Sequence, residues 1–212
     1  MNINNITSKG LLMVVSGPSG AGKGTICKEF LKTHRNVYPS VSTTTRGPRK
    51  SEVEGINYHF ISPASFQKLL DEDAFLEHAK VYGNMYGTTK DAVMSKINKG
   101  IDVLLEIEMQ GARQVKEKYP NGIYIFILPP SLKDLEKRIQ KRGSETPESM
   151  KNRLGAAYNE IGFIKEYNYY IINDEIDNAV EIINAIYIAE KCRINADIKY
   201  VIDKYREEKE NA

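Results

Sequence analysis

Gly17-Pro18-Ser19-Gly20-Ala21-Gly22-Lys23-Gly24-Thr25 follows directly on the apolar run Leu11-Leu12-Met13-Val14-Val15 and leads into Ile26, Cys27, Phe30 and Leu31. A short apolar run reads as a buried strand, and apolar positions three and four apart read as one face of a helix, so the stretch is strand, glycine loop, helix. Glycines let backbone N–H groups turn inward around a phosphate chain, the helix N-terminus adds partial positive charge, and Lys23 reaches the outer phosphates. The strand, Gly17, Gly22, Lys23, the helix and the spacing fit a Walker A phosphate-binding loop, so Gly17 to Thr25 are assigned to a nucleotide phosphate chain. One place departs: Gly24 stands where a Ser or Thr usually follows the lysine, and the hydroxyl comes one place later in Thr25. Magnesium is then expected either directly on Thr25 or held by phosphates and water, which this ion readily retains.

Outward from the loop, three further apolar runs, Val103 to Ile107, Ile123 to Leu128 and Tyr169 to Ile172, read as buried strands, with helical spacing such as Leu132/Leu135/Ile139 between them. Alternating strand and helix imply an α/β fold, a parallel sheet flanked by helices on both faces. The length between Val37 and Lys99 exceeds one crossover and holds Tyr58-His59-Phe60-Ile61, a helix-like Phe66/Leu69/Leu70 and Phe75-Leu76-Glu77-His78-Ala79, which indicates an inserted lobe. Lys137 to Arg153 reads as irregular and carries net charge +4 from Lys137, Arg138, Lys141, Arg142, Lys151 and Arg153 against Glu145 and Glu148, as a mobile cationic lid would. From Asp177 the chain reads as helix to its end. The expected division is a single domain with a core of 10–42, 91–136 and 159–191, an inserted lobe of 43–90, a lid of 137–158 and a helical tail of 192–212.

Composition narrows the partners. The 212 residues carry 30 Lys and Arg against 28 Asp and Glu, a net +2, so the general basic footprint of a nucleic-acid binder is missing and any anion site is local. No apolar run approaches the roughly 20 residues that span a bilayer, and the polar start Met1-Asn2-Ile3-Asn4-Asn5 lacks the features of a secretory leader. Two cysteines, Cys27 and Cys192, make no disulfide scaffold and no metal spacing. A cytoplasmic protein with no membrane and no nucleic-acid partner is expected; a monomer and a homo-oligomer fit equally.

The inserted lobe narrows the chemistry. Arg46 and Arg49, three apart in a turn set by Gly47 and Pro48, form a fork suited to a second phosphate. Glu106 and Glu108 lie at the carboxyl end of a strand, where ligands sit in open α/β sheets, and alternate strand positions would turn both to one face. Around the fork runs Thr44-Thr45-Arg46-x-x-Arg49-x-x-Glu52-x-x-Gly55-x-x-Tyr58-x-Phe60-Ile61. This resembles the signature of guanylate kinases at every fixed position. The resemblance continues through Glu77, Tyr82-Gly83-Asn84-Met85-Tyr86-Gly87-Thr88, Leu105-Glu106-Ile107-Glu108-Met109-Gln110-Gly111, Pro129-Pro130-Ser131 and Arg142-Gly143-Ser144-Glu145-Thr146.

The resemblance implies a nucleoside monophosphate kinase that moves the terminal phosphoryl group of ATP onto GMP, with core, GMP lobe and lid closing together. It implies that Arg46, Arg49, Tyr58 and Tyr86 hold the GMP phosphate and that Ser42, Glu77 and Thr88 face the guanine. Guanine chemistry agrees for Glu77, because a carboxylate accepts from the neighbouring N1–H and N2 amino donors. Glu106 would stand near magnesium, directly or through water, and Glu108 nearer the guanine; aspartate is frequent at these positions in the family, so both are one methylene longer. Lys23, Arg46, Arg142 and Arg153 would be catalytic, Arg138 would join them on ATP, and Asn173-Asp174 would lie by the adenine. Guanylate-kinase-like domains also serve as scaffolds for phosphorylated partners, typically without a working phosphate loop; Gly22 and Lys23 favour the enzyme.

Overall fold

The computed structural model describes residues 9–81, 83–140, 147–194 and 198–210. In chain order the first half contains β1 (Leu12–Ser16), α1 (Lys23–Thr33), β2 (Val37–Pro39), β3 (Thr43–Thr44), β4 (His59–Phe60), α2 (Pro63–Asp71), β5 (Phe75–Val81), β6 (Asn84–Thr89) and α3 (Lys90–Ile97). The second half contains β7 (Asp102–Glu106), α4 (Met109–Lys118), β8 (Ile123–Leu128), α5 (Leu132–Gln140), α6 (Pro147–Ile161), a short 3-10 helix (Gly162–Glu166), β9 (Tyr169–Ile172), α7 (Ile176–Lys191) and α8 (Ile198–Glu210).

Five parallel strands in the order β2-β7-β1-β8-β9 make the central sheet. Because successive strand residues point to opposite faces, the apolar runs feed two cores at once. Met13, Val15, Leu104, Ile123, Ile125 and Ile127 pack under α1 and α7 against Ile26, Phe30, Ala179 and Ile183. On the other face Leu12, Val14, Val103, Leu105 and Tyr124 pack under α3 and α4 against Val93, Ile97, Ala112 and Val115. The expected helix-flanked parallel sheet is what forms.

A second sheet, β4-β3-β6-β5, is built wholly from residues between Thr43 and Thr89, with β3 parallel to β4 and the other pairs antiparallel. Ser62 accepts a hydrogen bond from the Ser65 N–H and Pro63 starts α2; Thr89 likewise accepts from the Ala92 N–H at the head of α3.

Several expectations are corrected. Val37–Pro39, absent from the apolar runs, is an edge strand of three residues, a place where a proline costs no ladder bond. β9 is the opposite edge, so only Ile171 is buried there while Tyr170 is 61% and Ile172 45% exposed. β7 ends at Glu106, and Glu108 is the N-cap of α4 rather than a strand residue. The stretch read as irregular is helical in its described parts: α5 and α6 pack together through Leu135, Ile139, Met150, Leu154 and Ala157, and Pro147 opens α6. The tail is not one helix. α7 ends at Lys191, which pairs with the buried Asp102 at 2.7 Å, and α8 begins only at Ile198, beyond the last sheet strand available for packing.

Candidate functional site

Parallel register brings Val15 of β1 opposite Glu106 of β7, and Ser16 opposite Phe126 of β8, so the phosphate loop leaves the sheet at its carboxyl edge. The loop needs its glycines. Gly22 has φ +97°, and a Cβ there would lie 2.2 Å from Asn173 Nδ2; at Gly17, φ +148°, a Cβ would lie 2.2 Å from the Ile127 carbonyl oxygen. Lys23 opens α1, and its Nζ donates to the carbonyls of Gly17 at 2.6 Å and Pro18 at 3.4 Å, which holds the ammonium across the mouth of the loop. Ser19, Gly20, Gly22, Lys23, Gly24 and Thr25 face Glu106 and Glu108 across a cleft of about 550 Å³. A larger cavity, about 740 Å³, opens at the amino end of the same strands, around Leu11, Leu12 and Ile123, away from these groups.

Three sequence-assigned residues converge on the loop from behind. Asn173, 3% exposed, donates through Nδ2 to the Ala21 carbonyl at 2.7 Å. Arg138 donates to the Ala21 carbonyl at 3.2 Å and to the Asn173 carbonyl at 2.7 Å. Arg153 on α6 donates to Ser19 Oγ at 2.9 Å. Asn173, expected beside an adenine, is thus buried under the loop and braces it. Arg142 lies outside the described residues.

Glu106 and Glu108 share the cleft even though only Glu106 belongs to the strand. Burial pushes the Glu106 carboxyl above the usual carboxylate range; Lys23 pulls it down and Glu108 pushes it up. Glu160 on α6, not singled out in the sequence, feels the same field: burial and Glu108 raise its carboxyl, while Lys23 and the Ser19 N–H lower it. Among the described residues no cluster of His, Cys, Asp or Glu could hold a metal ion by itself. The donors present, two carboxylates and the Thr25 hydroxyl, are hard oxygens of the kind that take Mg²⁺ through one or two contacts beside substrate phosphates, and they fit that ion.

The second sheet builds the rest. Glu77, 5% exposed on β5, accepts from Thr88 Oγ1 at 2.7 Å, and Thr88 Oγ1 meets Ser42 Oγ at 3.2 Å. A Cβ on Gly111 would lie 2.6 Å from Glu77 Oε2, so that glycine at the start of α4 makes room for the carboxylate. Burial pushes the Glu77 carboxyl up, against the Thr88 hydrogen bonds that lower it. Arg46 is gripped by Glu52 through both terminal guanidinium nitrogens, at 2.8 and 2.9 Å, and donates through Nε to Tyr86 Oη at 3.2 Å. Glu52 also accepts from the Arg49 N–H at 2.8 Å. The Arg46 guanidinium stands 5.6 Å from the centre of the Tyr58 ring, and Tyr58 and Tyr86 meet edge to face at 5.8 Å. Burial, foremost, and Tyr86 raise the Tyr58 phenol, and Arg46 lowers it. Arg49 is exposed on the turn.

The structure therefore brings together Ser42, Glu77 and Thr88 as one group, Arg46, Tyr58 and Tyr86 as a second, and the loop with Glu106, Glu108, Arg138, Arg153 and Asn173 as a third. Glu52 and Gly111 are functional neighbours that sequence reasoning left unassigned. Glu52 was inside the signature, and its spacing from Arg46 was the available signal.

The family profile described as "Guanylate kinase" matches residues 9–190. The chain is 53% identical over 195 residues to the guanylate kinase of Clostridium perfringens strain SM101, covering 92% of this chain and 90% of the relative. It is 54% identical over 198 residues to that of Clostridium acetobutylicum, covering 93% and 94%. Among solved structures, the crystal structure of guanylate kinase from Anaplasma phagocytophilum superposes with a TM-score of 0.72 at 32% identity, covering 89% of each chain.

Proposed function

The chain belongs to the guanylate kinase family, and from that premise we infer that it transfers the terminal phosphoryl group of ATP to GMP, giving ADP and GDP. The observation that carries this reading is Glu77: a buried carboxylate held by the neutral hydroxyl of Thr88, with space made for it by Gly111. Such a group accepts from guanine N1–H and N2 together, and Ser42 and Thr88 supply further hydroxyls beside it.

The division of labour follows from charge. Arg46 takes the GMP phosphate with Tyr58, Tyr86 and Arg49. Glu52 fixes the guanidinium plane through two hydrogen bonds, so little orientation has to be found when the phosphate arrives. The loop from Gly17 to Thr25 cradles the ATP phosphates, and Lys23 neutralises charge on the transferring group. The attacking GMP oxygen is already anionic at neutral pH, so no general base is needed; the barrier is the approach of two polyanions. Lys23, Arg46, Arg49, Arg138, Arg153 and Arg142 offset that repulsion. Magnesium, when bound at Thr25, Glu106 or their waters, supplies charge neutralisation on the phosphates. Glu108, which lines the same cleft as Glu106, is assigned to the guanine side in this reading.

The lobe of 43–90 and the lid of 137–158 are the moving parts in this reading, and closure excludes water from the phosphoryl group. A cytoplasmic location belongs to it as well, supported by two free thiols, Cys27 in the core and Cys192 exposed. Among the described residues no helix is long and apolar enough to cross a membrane. A coupled assay of ADP release with ATP and magnesium, run in parallel on GMP, AMP, UMP, CMP and dTMP, tests the function. Activity confined to GMP is expected, and equal turnover of AMP overturns it.

A further inference from the structure

Gly24 is the place where the phosphate loop departs from its pattern, and no backbone demand explains the glycine. It lies in the first turn of α1, and it is not among the glycines of positive φ. A glycine inside a helix costs up to about 1 kcal/mol relative to alanine, so space rather than conformation is the reason to look for. The structure supplies one. A Cβ on Gly24 would stand 3.2 Å from Glu106 Oε1 and 3.3 Å from Oε2, and the next atom within reach is the carboxyl carbon at 3.7 Å. Both carboxylate oxygens lie directly over the bare glycine.

The strand sets where Glu106 starts from: it ends β7 in register with Val15, and the next residue, Ile107, donates its N–H to the Val15 carbonyl at 3.2 Å, while the side chain itself reaches out of the sheet edge into solvent. A hydroxyl at position 24 would normally face the magnesium of the bound nucleotide. We propose that the Glu106 carboxylate occupies that hydroxyl's place over Gly24, so that the missing hydroxyl and the long acidic side chain are one compensated arrangement. The oxygen facing the metal-bearing phosphates then comes from β7 instead of α1. The proposal rests on the reading that a magnesium nucleotide binds at this loop.

Two measurements on the full chain test it, with the variants Gly24→Ala, Gly24→Ser, Glu106→Asp and each Gly24 variant combined with Glu106→Asp. In the ligand-free protein the unfolding temperature reads the packing. Gly24→Ala should gain less than alanine normally gains over glycine in a helix, because the new Cβ crowds the carboxylate, and adding Glu106→Asp, which withdraws that carboxylate, should release the rest of the gain. Calorimetric binding of ADP at varied Mg²⁺ reads the chemistry. Each of Gly24→Ser and Glu106→Asp alone should raise the half-saturating Mg²⁺ by about 3-fold or more, and the double variant should return to near the parent value. Effects that simply multiply in the double variants, in both measurements, overturn the pairing. If the parent chain binds no ADP at any Mg²⁺, the proposed function fails, and the unfolding temperatures alone then support or overturn the pairing.

Discussion

In the proposed function Glu77 concentrates the specificity of the site, and its burial carries a stability cost. An AMP in the guanine pose would set a bare N1 lone pair against the buried carboxylate and offer no amino group, and sites that leave a buried polar group unpaired in this way discriminate by about 10⁴ in kcat/KM. Glu77→Gln keeps the Thr88 hydrogen bond but turns one acceptor into a donor. It should lower kcat/KM for GMP by about 10² or more while AMP activity stays level or rises, and parallel kinetics on both nucleotides check this. The same substitution has a pH signature. Burial raises the Glu77 pKa in the folded chain, so the folded state holds the proton more tightly than the unfolded state. Stability is therefore lost as pH rises from the ordinary carboxylate value through the raised one, and the loss is complete above it. Glu77→Gln should raise the unfolding temperature of the ligand-free protein at pH 8, with the gain fading to nothing below the ordinary carboxylate value; a gain that persists at low pH would contradict burial as the cause. Lys23→Ala, which removes a donor held over the loop's mouth, should lower kcat by about 10² or more with the circular dichroism spectrum unchanged.

At the scale of elements, the phosphate loop is held by parts of the chain far from it in sequence. The turn after β9 supplies Asn173, α5 supplies Arg138 and α6 supplies Arg153, and all three bond to loop atoms between Ser19 and Ala21. These grips differ in kind. Asn173 is buried beneath the loop, whereas Arg153 belongs to α6, which packs on α5 through a small core of its own. Asn173→Ala should raise KM for ATP by roughly 5-fold, the worth of about one hydrogen bond, with GMP affinity measured without ATP unchanged. Arg153→Ala should instead depress kcat more than it weakens GMP binding, because the proposed function places its work in the closed complex. Calorimetry with GMP alone separates the two, and an equal loss of GMP affinity and kcat would remove Arg153 from the lid's function.

The molecule as a whole is tied together at the end of the sheet opposite the site. Asp102, 2% exposed at the start of β7, accepts from Tyr187 Oη and Lys191 Nζ on α7 and from the Leu11 N–H, each at 2.7 Å. This cluster pins α7, which covers one sheet face, to β7, which carries Glu106 at its other end. Breaking a buried ion pair leaves an uncompensated charge and typically costs about 3–5 kcal/mol. Lys191→Met should therefore lower the unfolding temperature by roughly 10 °C while leaving KM for ATP and GMP near the parent values, as differential scanning calorimetry and steady-state kinetics would show.

Local pattern determined the phosphate loop and the parallel sheet, because strand runs, helical spacing and glycine turns are decided by neighbours a few residues apart, whereas the signature around Arg46 was legible only through its resemblance to guanylate kinases. The resemblance to guanylate kinases pointed to Glu77 among the several carboxylates of the lobe, and guanine chemistry agreed with it. Tertiary structure alone decided what surrounds each group. Gly111 makes room for Glu77 across 34 positions of sequence, Asn173 braces Ala21 across 152, and Glu106 covers Gly24 from the end of another strand. None of these contacts leaves a periodic trace in the chain. The contacts around the phosphate loop exist because parallel strands align their carboxyl ends, and that of Gly111 with Glu77 because α4 packs on β5 of the second sheet; both are set by how the layers pack rather than by any segment read on its own.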